Sequence, residues 1–598
     1  MSLVKDIIRY FNVFRKHLGY SLYIVFVLTG LAALTEAFGI SLVLPLIEMV
    51  DANLVEGEVS SITLKLQSFL NFIGIGESMV AVLIFIGAVF LLKGAIKFIE
   101  EAYKAVLKAN FQREIKKKIF DYYSNMSYNY YCKHNTGHFI NIIGGQVGKL
   151  IRSFESFKKF LSEIIITISF LGVAFLISWR FASMAAVSGV IILLLFRRLN
   201  AYAKKLSIKT AKEQGYLNKF LVQTLHAWKY VISTNQMARL EKSVFKSIFR
   251  LSRYMRNQGI AKGFTLALKE PVSIILILSI IIIQITLFDA PLAPIFVSLI
   301  LIHRAMGHVM TIQSDWQTTM NTIGSLEMVE KEIDKVSKNQ EISGTIMLRP
   351  LNDSIRLENV SFAYNIKDGD VLKNIDLIIR ANTTVAFVGE SGTGKSTLVD
   401  MLTLLLKPRQ GIVYIDGVPN DQIELTSWRS QIGYVSQDTV VFDDTVANNI
   451  CMWQGDYSND DTIKHEIELA AERSYATGFI KQLPKGFNTV IGDRGIRLSG
   501  GQKQRLFIAR ELFKKPRFLI LDEATSALDS ESERFIQESI DNLKGNTTVA
   551  IIAHRLSTIK NVDLIYVLDK GRIVEYGTYE ELIASGQNFN KMVELQSL

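Results

Sequence analysis

The sequence predicts an all-α polytopic membrane domain followed by an α/β domain built around a phosphate-binding loop, and three observations carry that prediction. The first half holds six apolar segments, each close to the roughly 20 residues that a spanning helix needs. In the second half, strand-like and helix-like runs alternate. Between one such pair stands Gly389-Glu390-Ser391-Gly392-Thr393-Gly394-Lys395-Ser396. Roughly a hundred residues further on comes a second glycine-rich, helix-opening turn, Leu498-Ser499-Gly500-Gly501-Gln502. Both turns present free N–H groups and the positive end of a helix dipole, which makes each an anion site. Two such surfaces on one domain imply that two copies share each nucleotide.

A chain of 598 residues is too long for one core, and its apolar excess lies in the first half. Only nine prolines occur, without a repetitive tract, so the chain reads as ordered. The net charge of +10 raises nucleic acid as a partner. The lysines and arginines, however, lie mainly between the apolar runs, which is the positive-inside pattern of a membrane protein and excludes a nucleic-acid role. Cys132 and Cys451 have no CxxC spacing and imply neither a disulfide nor a zinc site.

Residues 1–17 place Val4, Ile7, Ile8, Phe11 and Phe14 at helical spacing among Lys5, Arg9, Arg15 and Lys16. The pattern predicts an amphipathic helix in the inner membrane interface, with packing against protein as the alternative. The spans fall near 19–47, 78–99, 157–178, 181–200, 270–288 and 291–312 within a membrane domain of 18–335. Residues 51–77 carry Asp51, Glu56, Glu58 and Glu77 against Lys65, whereas 100–156 and 201–269 are strongly basic. The basic connections are therefore cytoplasmic, the acidic one lies outside, and both termini are inside a cytoplasmic (inner) membrane. The inner connections read as helix, so the spans continue into the cytoplasm. Their turns, near 128–137 and 223–230, either dock on a soluble domain or face solvent.

A polar linker, 336–354, leads to the second domain, 355–598. Val385-Ala386-Phe387-Val388 is a buried strand entering the phosphate loop. There Gly389, Ser391, Gly392 and Gly394 let the backbone wrap phosphates, and Lys395 reaches their oxygens as a point charge. The Ser396 hydroxyl suits Mg2+, and Thr397 continues the helix. The strand Phe518-Leu519-Ile520-Leu521 ends in Asp522, placed for the magnesium shell, and Glu523, placed to polarise an attacking water. His554 closes another apolar run, where a lone histidine is more often structural than catalytic, and Gln437 follows a further strand.

In this order the motifs resemble the nucleotide-binding domain of ATP-binding cassette (ABC) transporters. The resemblance covers 355 to about 590 motif by motif, and the six-helix half through its layout. It implies a P-loop NTPase domain of the ABC class fused to an exporter-type membrane domain, with ATP and Mg2+ as cofactors. By resemblance Tyr364 stacks on adenine, Gln437 is the Q-loop glutamine and contributes to the metal site, and Ser499, Gly500, Gly501 and Gln502 form the signature. Asp522 and Glu523 then form the Walker B pair, Ser526, Ala527, Leu528 and Asp529 the D-loop, and His554 the switch histidine. Thr489-Val490-Ile491-Gly492-Asp493-Arg494-Gly495 is similar to the X-loop of exporters, and the two inner turns to coupling helices. The family implication is a half-transporter whose two chains clamp each ATP between Lys395 of one and Ser499 of the other. With no motif degenerate, a homodimer is expected, a heterodimer being the alternative.

Charges inside spans are costly and usually face a cavity, which singles out Glu36, His303, Arg304 and His308. At about 1.5 Å per residue from Pro291, Arg304 lies about 20 Å down, where it either meets an anionic head group or pairs with protein. The stretch from Glu36 to Ile47 is similar to the first membrane helix of lipid-linked oligosaccharide flippases. The expected activity is ATP-driven export or flipping of an amphipathic, lipid-linked or anionic substrate. A multidrug or peptide exporter is the alternative, and an ATP-regulated channel or receptor a third.

Overall fold

The structure is a computed structural model that describes residues 2–43, 45, 61–177, 179–288, 292–365, 369–492, 495, 497–523, 530–553, 556–585 and 588–597. It divides into two compact units, one of 1–126 with 130–340, the other of 127–129 with 341–598.

The first unit is helical. Ser21–Ser41, Met79–Ser124, Val147–Ile177, Trp179–Leu195, Met237–Phe288 and Leu292–Lys338 carry the six predicted segments. Among the described residues four helices are long and apolar enough to cross a membrane, or five if Ala182–Leu195 and Arg197–His226, bent by 41°, form one span. The start of the sixth segment, at 291, and the outer turn at 289–290 lie outside the described residues. Met79–Ser124 has 46 residues and Met237–Phe288 has 52, so at about 1.5 Å per residue both exceed twice the roughly 30 Å apolar core of a bilayer. The helical continuation expected of the inner connections is thus present in both.

An aromatic core joins these helices. Phe14, Phe111, Phe154 and Phe157 are fully buried, with ring centroids of Phe111 and Phe154 4.9 Å apart and those of Phe14 and Phe154 5.3 Å apart. Phe14 and Tyr10 belong to the N-terminal helix, Ser2–Leu18, whose buried stripe therefore packs on protein. That is the alternative weighed for this helix, and Tyr10 is the stripe member that its apolar pattern omits. At Gly324 the last helix approaches Arg197–His226 so closely that a Cβ would lie 2.6 Å from the Ser207 carbonyl. The Gly324 N–H donates to Ser207 Oγ at 2.9 Å, tying the two backbones together. Near residues 128–137, buried Glu332 accepts from the Tyr123 and Tyr130 hydroxyls at 3.3 and 3.2 Å, and His138 Nε2 lies 2.9 Å from its other oxygen.

The second unit has two sheets. The antiparallel sheet runs β2-β1-β4-β5, from Leu372–Arg380, Ser354–Phe362, Gln410–Ile415 and Val418–Pro419. The central sheet runs β10-β9-β3-β8-β7-β6, where β3 is Thr384–Val388, β6 Ile432–Val435, β7 Phe518–Asp522, β8 Thr548–Ile552, β9 Leu564–Asp569 and β10 Arg572–Gly577. All its pairings are parallel except β9 with β10. Every residue of β3, β7 and β8 is buried, which is the continuous apolar reading expected of strands covered on both faces. Trp428, wholly buried, stacks on Phe518 and donates its indole N–H to the Leu402 carbonyl at 3.0 Å.

The helix after β3, Lys395–Leu402, carries one group that opposes this packing. Burial, with the charge of Asp522 adding to it, pushes the Asp400 carboxyl up to about 6. Below about pH 4 the group is protonated in both folded and unfolded chains and contributes nothing. As pH rises towards 6 only the folded form holds the proton, so stability falls; above 6 the cost is constant. Asp400→Asn should therefore raise stability at pH 7–8 by about 1–2 kcal/mol, discounted for partial exposure, with the gain fading as pH falls to about 4. Melting temperatures of both nucleotide-free chains across pH 4–8 test this, and a gain independent of pH would rule the charge out as its cause.

Candidate nucleotide site and membrane charge cluster

Parallel pairing places the carboxyl ends of β3, β8, β7 and β6 along one edge, and the loops that leave them carry the predicted chemistry. After β3, Gly389 passes so near β9 that a Cβ would sit 2.4 Å from the Leu568 carbonyl. Gly394, at φ +100°, caps the helix beginning at Lys395, a backbone setting that favours glycine. Gly392, at φ +85°, has open space where a Cβ would stand, as a loop closing round phosphate oxygens requires. Lys395 Nζ donates to the Gly389 and Glu390 carbonyls at 2.7 and 2.8 Å and is thereby held at the centre of the loop. Burial pulls its pKa down, while Glu523 and Asp522 act to raise it. Ser391 and Ser396 are exposed, and buried Thr397 shares a hydrogen bond of 3.2 Å with the Tyr364 hydroxyl. The Tyr364 ring stands edge-on to Phe362 with 40% of the residue exposed, enough to offer a face to a flat ring.

β7 ends in Asp522, whose Oδ2 accepts from the Tyr434 hydroxyl of β6 at 3.3 Å. Glu523 follows with φ +50°, a left-handed setting that is costly for a residue with a side chain. Its N–H donates to the Ile552 carbonyl at the end of β8 at 3.1 Å, and its carboxylate accepts from Gln437 Nε2 at 2.7 Å. The structure thus joins Gln437 to Glu523, two residues 86 positions apart, within the field of Lys395. Among the described residues no group of three His, Cys, Asp or Glu side chains could hold a metal. A divalent cation here would depend on Asp522 with hydroxyl, amide and phosphate oxygens, a donor set that suits Mg2+. His554, and Ser526, Ala527, Leu528 and Asp529, lie outside the described residues.

Ser499 caps the helix Gly500–Phe513. Its Oγ accepts from the Gln502 N–H at 3.3 Å, and Gln502 Oε1 accepts from the Ser499 N–H at 2.9 Å. This reciprocal box fixes the turn, with Gly500 exposed and Gly501 buried. Along the same helix sequence reasoning missed Arg510, which is 4% exposed. Its guanidinium donates to the Asn449 and Val440 carbonyls at 2.6 and 2.7 Å and lies 5.2 Å from the Phe442 and Phe507 ring centres. An arginine flanked by Phe507-Ile508-Ala509 and Leu512-Phe513 was the available signal. Tyr434 and Asp400 were missed for want of any motif.

In the helical unit Glu36 and Arg304 come together, with Glu36 Oε1 3.7 Å from Arg304 Nη1 and Oε2 2.8 Å from Lys93 Nζ. His308 sits 2.6 Å from Glu163 and stacks on Phe170, while His303 is exposed. Lys93 and Glu163 were not singled out from sequence, although both are charges within apolar runs.

Residues 372–526 match the family model of the ABC transporter domain and 23–311 that of the ABC transporter transmembrane region. An ATP-dependent lipid A-core flippase of Haemophilus influenzae (strain 86-028NP) is 33% identical, the match covering 85% of this chain and 86% of that protein. The heterocyst differentiation ATP-binding protein HepA of Nostoc sp. is 31% identical, with 83% and 80% covered. Among solved structures, that of a bacterial Atm1-family ABC exporter with ATP bound aligns at a TM-score of 0.78 over 98% of this chain and 99% of that one. Its 23% identity speaks for the fold alone. With a transmembrane region fused to an ATP-binding domain and a relative at 33% identity over 85% of this chain, the chain belongs to the ABC transporters, as a membrane half-transporter that couples ATP hydrolysis to export.

Proposed function

We propose that this chain works as a homodimer in the inner membrane, with both termini cytoplasmic, and moves an anionic, lipid-linked amphiphile, such as a lipid-linked glycan, out of the inner leaflet. The observation that carries the motor assignment is the 2.7 Å contact between Gln437 and Glu523 at the edge that also holds Lys395. In this reading Glu523 orients and deprotonates the attacking water, Gln437 reports whether the γ-phosphate is present, and His554 contacts that phosphate. Tyr364 stacks on adenine, the loop from Gly389 to Thr397 holds the phosphates, and Ser396, Asp522 and Gln437 would hold Mg2+, which supplies charge neutralisation when bound. Ser499 to Gln502 close on the nucleotide of the partner subunit, and Ser526 to Asp529 line the same junction.

Binding shifts the transporter only if ATP prefers the closed pair of cassettes. A positive helix end at Ser499 supplies that preference, because it meets phosphate in the closed pair alone. The substrate assignment draws on Arg304, a cation placed in a membrane segment with more than half its side chain exposed. It draws too on relatives described as lipid A-core flippases. Of the described acids only Glu36 lies at ion-pair distance from Arg304, and Glu36 also serves Lys93, so the three charges sum to one positive.

Three outcomes test this reading. Glu523→Gln should cut ATP turnover by about 10²- to 10⁴-fold while nucleotide binding persists, and retained turnover would remove its assigned role. Cysteines placed at Ser391 and Ser499 in a chain lacking Cys132 and Cys451 should cross-link between subunits in the presence of ATP; purely intrachain products would refute the shared site. Arg304→Ala should weaken ATPase stimulation by anionic lipids in nanodiscs and spare stimulation by neutral amphiphiles. An unchanged lipid profile would count against the substrate assignment.

A further inference from the structure

Glu36 does not serve its two cations equally. Its Oε2 lies 2.8 Å from Lys93, within hydrogen-bonding range, whereas its Oε1 lies 3.7 Å from Arg304, beyond it. Glu36 is only 15% exposed, and Arg304 is 57% exposed with no hydrogen bond among the described residues. Glu163, which His308 engages at 2.6 Å, forms no ion pair with Arg304. Among the described residues the guanidinium therefore has its charge shielded while its donors stay uncommitted. Those donors form a planar fork that matches two oxygens of a phosphate group.

We infer that Glu36 is an internal competitor for the substrate's anionic head group: it shields Arg304 when the site is empty, is displaced when a lipid phosphate binds, and returns to drive that phosphate off. The inference rests on the proposal that the substrate is an anionic lipid. Its physical basis is that a lone cation in a membrane segment would hold a phosphate tightly, and tight holding slows release. A carboxylate anchored on Lys93, 3.7 Å from Arg304, weakens the bound state without removing the donors that recognise the phosphate. Affinity is lowered, and turnover gains from faster release.

The experiment measures ATPase stimulation of the full-length dimer in phosphatidylcholine nanodiscs. Its probes are a polyprenyl phosphate, phosphatidic acid and diacylglycerol, which separate polyprenyl from glycerolipid phosphates and both from a neutral lipid. Glu36→Gln should lower the concentration of the effective phosphate lipid that gives half-maximal stimulation by roughly threefold to tenfold, and should also lower the maximal stimulated rate. Diacylglycerol should show neither change. The tightening should vanish when Glu36→Gln is combined with Arg304→Ala, because the competition acts through that guanidinium. If Glu36→Gln is not monodisperse, Glu36→Asp, which draws the carboxylate back by one methylene, should move both quantities the same way by less. Where the wild type responds to phosphate lipids, an unchanged or raised half-maximal concentration in Glu36→Gln would overturn the role of Glu36 and leave the substrate class standing, as would tightening that survives loss of Arg304. A wild type that responds to neither phosphate lipid would overturn the substrate class and this inference with it.

Discussion

Parallel pairing of β3, β8, β7 and β6 is the constraint on which the nucleotide site depends. Val385 pairs with Ala550, Leu521 with Ile551, and Val435 with Leu521, so the strands end level and their loops meet along one edge. Lys395, Asp522, Glu523 and Gln437 come from three separate stretches of chain, and the ladder brings them to that edge. A register slip of one residue in β7 would turn Asp522 to the opposite face. Continuous burial of β3, β7 and β8 guards against such a slip, since both faces of each strand are packed. The positive φ of Glu523 is tolerated because its N–H is anchored on the Ile552 carbonyl and its carboxylate on Gln437.

The helical unit meets a different demand, that charges within apolar helices be compensated. Glu36 lies between Lys93 and Arg304, and Glu163 beside His308, each pair joining helices far apart in sequence. Further along the same helices, buried Glu100 accepts from Thr29 Oγ1 at 2.6 Å and from Lys97 Nζ at 2.9 Å. Asn200 and Gln313 exchange two amide hydrogen bonds of 3.1 and 3.0 Å. Each contact satisfies groups that apolar surroundings would penalise, and those that join two helices, unlike Lys97 with Glu100, specify which helix faces which. Aromatic and aliphatic packing, as around Phe111 and Phe154, fills volume and discriminates less between alternative registers.

How much of this was legible in sequence follows from the range of the interactions concerned. Apolar runs and the phosphate loop are local signals, so the helices, β3 and the helix opening at Lys395 could be read directly. Asp522 and Glu523 were found because a buried strand delivers them, again a local pattern. The Gln437–Glu523 contact, the Tyr434 hydroxyl on Asp522 and the Arg510 anchor depend on the order of strands in the sheet, which residue spacing does not encode. In the membrane half the unpaired-looking charge of Arg304 was visible, but Lys93, 211 positions earlier by subtraction of residue numbers, acquires meaning only when Glu36 bridges them. The N-terminal helix shows the same limit. Its amphipathic period is plain, yet period alone does not say whether lipid or protein covers the apolar stripe, and burial of Tyr10 and Phe14 answers for protein.

Arg510 relates the two glycine-rich turns within a single cassette. Gln437 contacts Glu523 at one end of the segment that follows β6, and a few residues on the Val440 carbonyl accepts from Arg510, with Phe442 beneath the same guanidinium. Arg510 lies in the helix that Ser499 caps, so its hydrogen bonds link the segment holding Gln437 to that helix. Thr439 reinforces the link by donating to Gln504 Oε1 at 3.0 Å. Because the guanidinium is buried and its donors are taken by carbonyls, breaking these bonds would leave buried polar groups without partners. The segment that holds Gln437 is therefore bonded to the helix that opens at Ser499. Glu523 and Ser499, though residues of separate motifs, are thus linked through Gln437, the Val440 carbonyl and Arg510 by a continuous run of chain and hydrogen bonds.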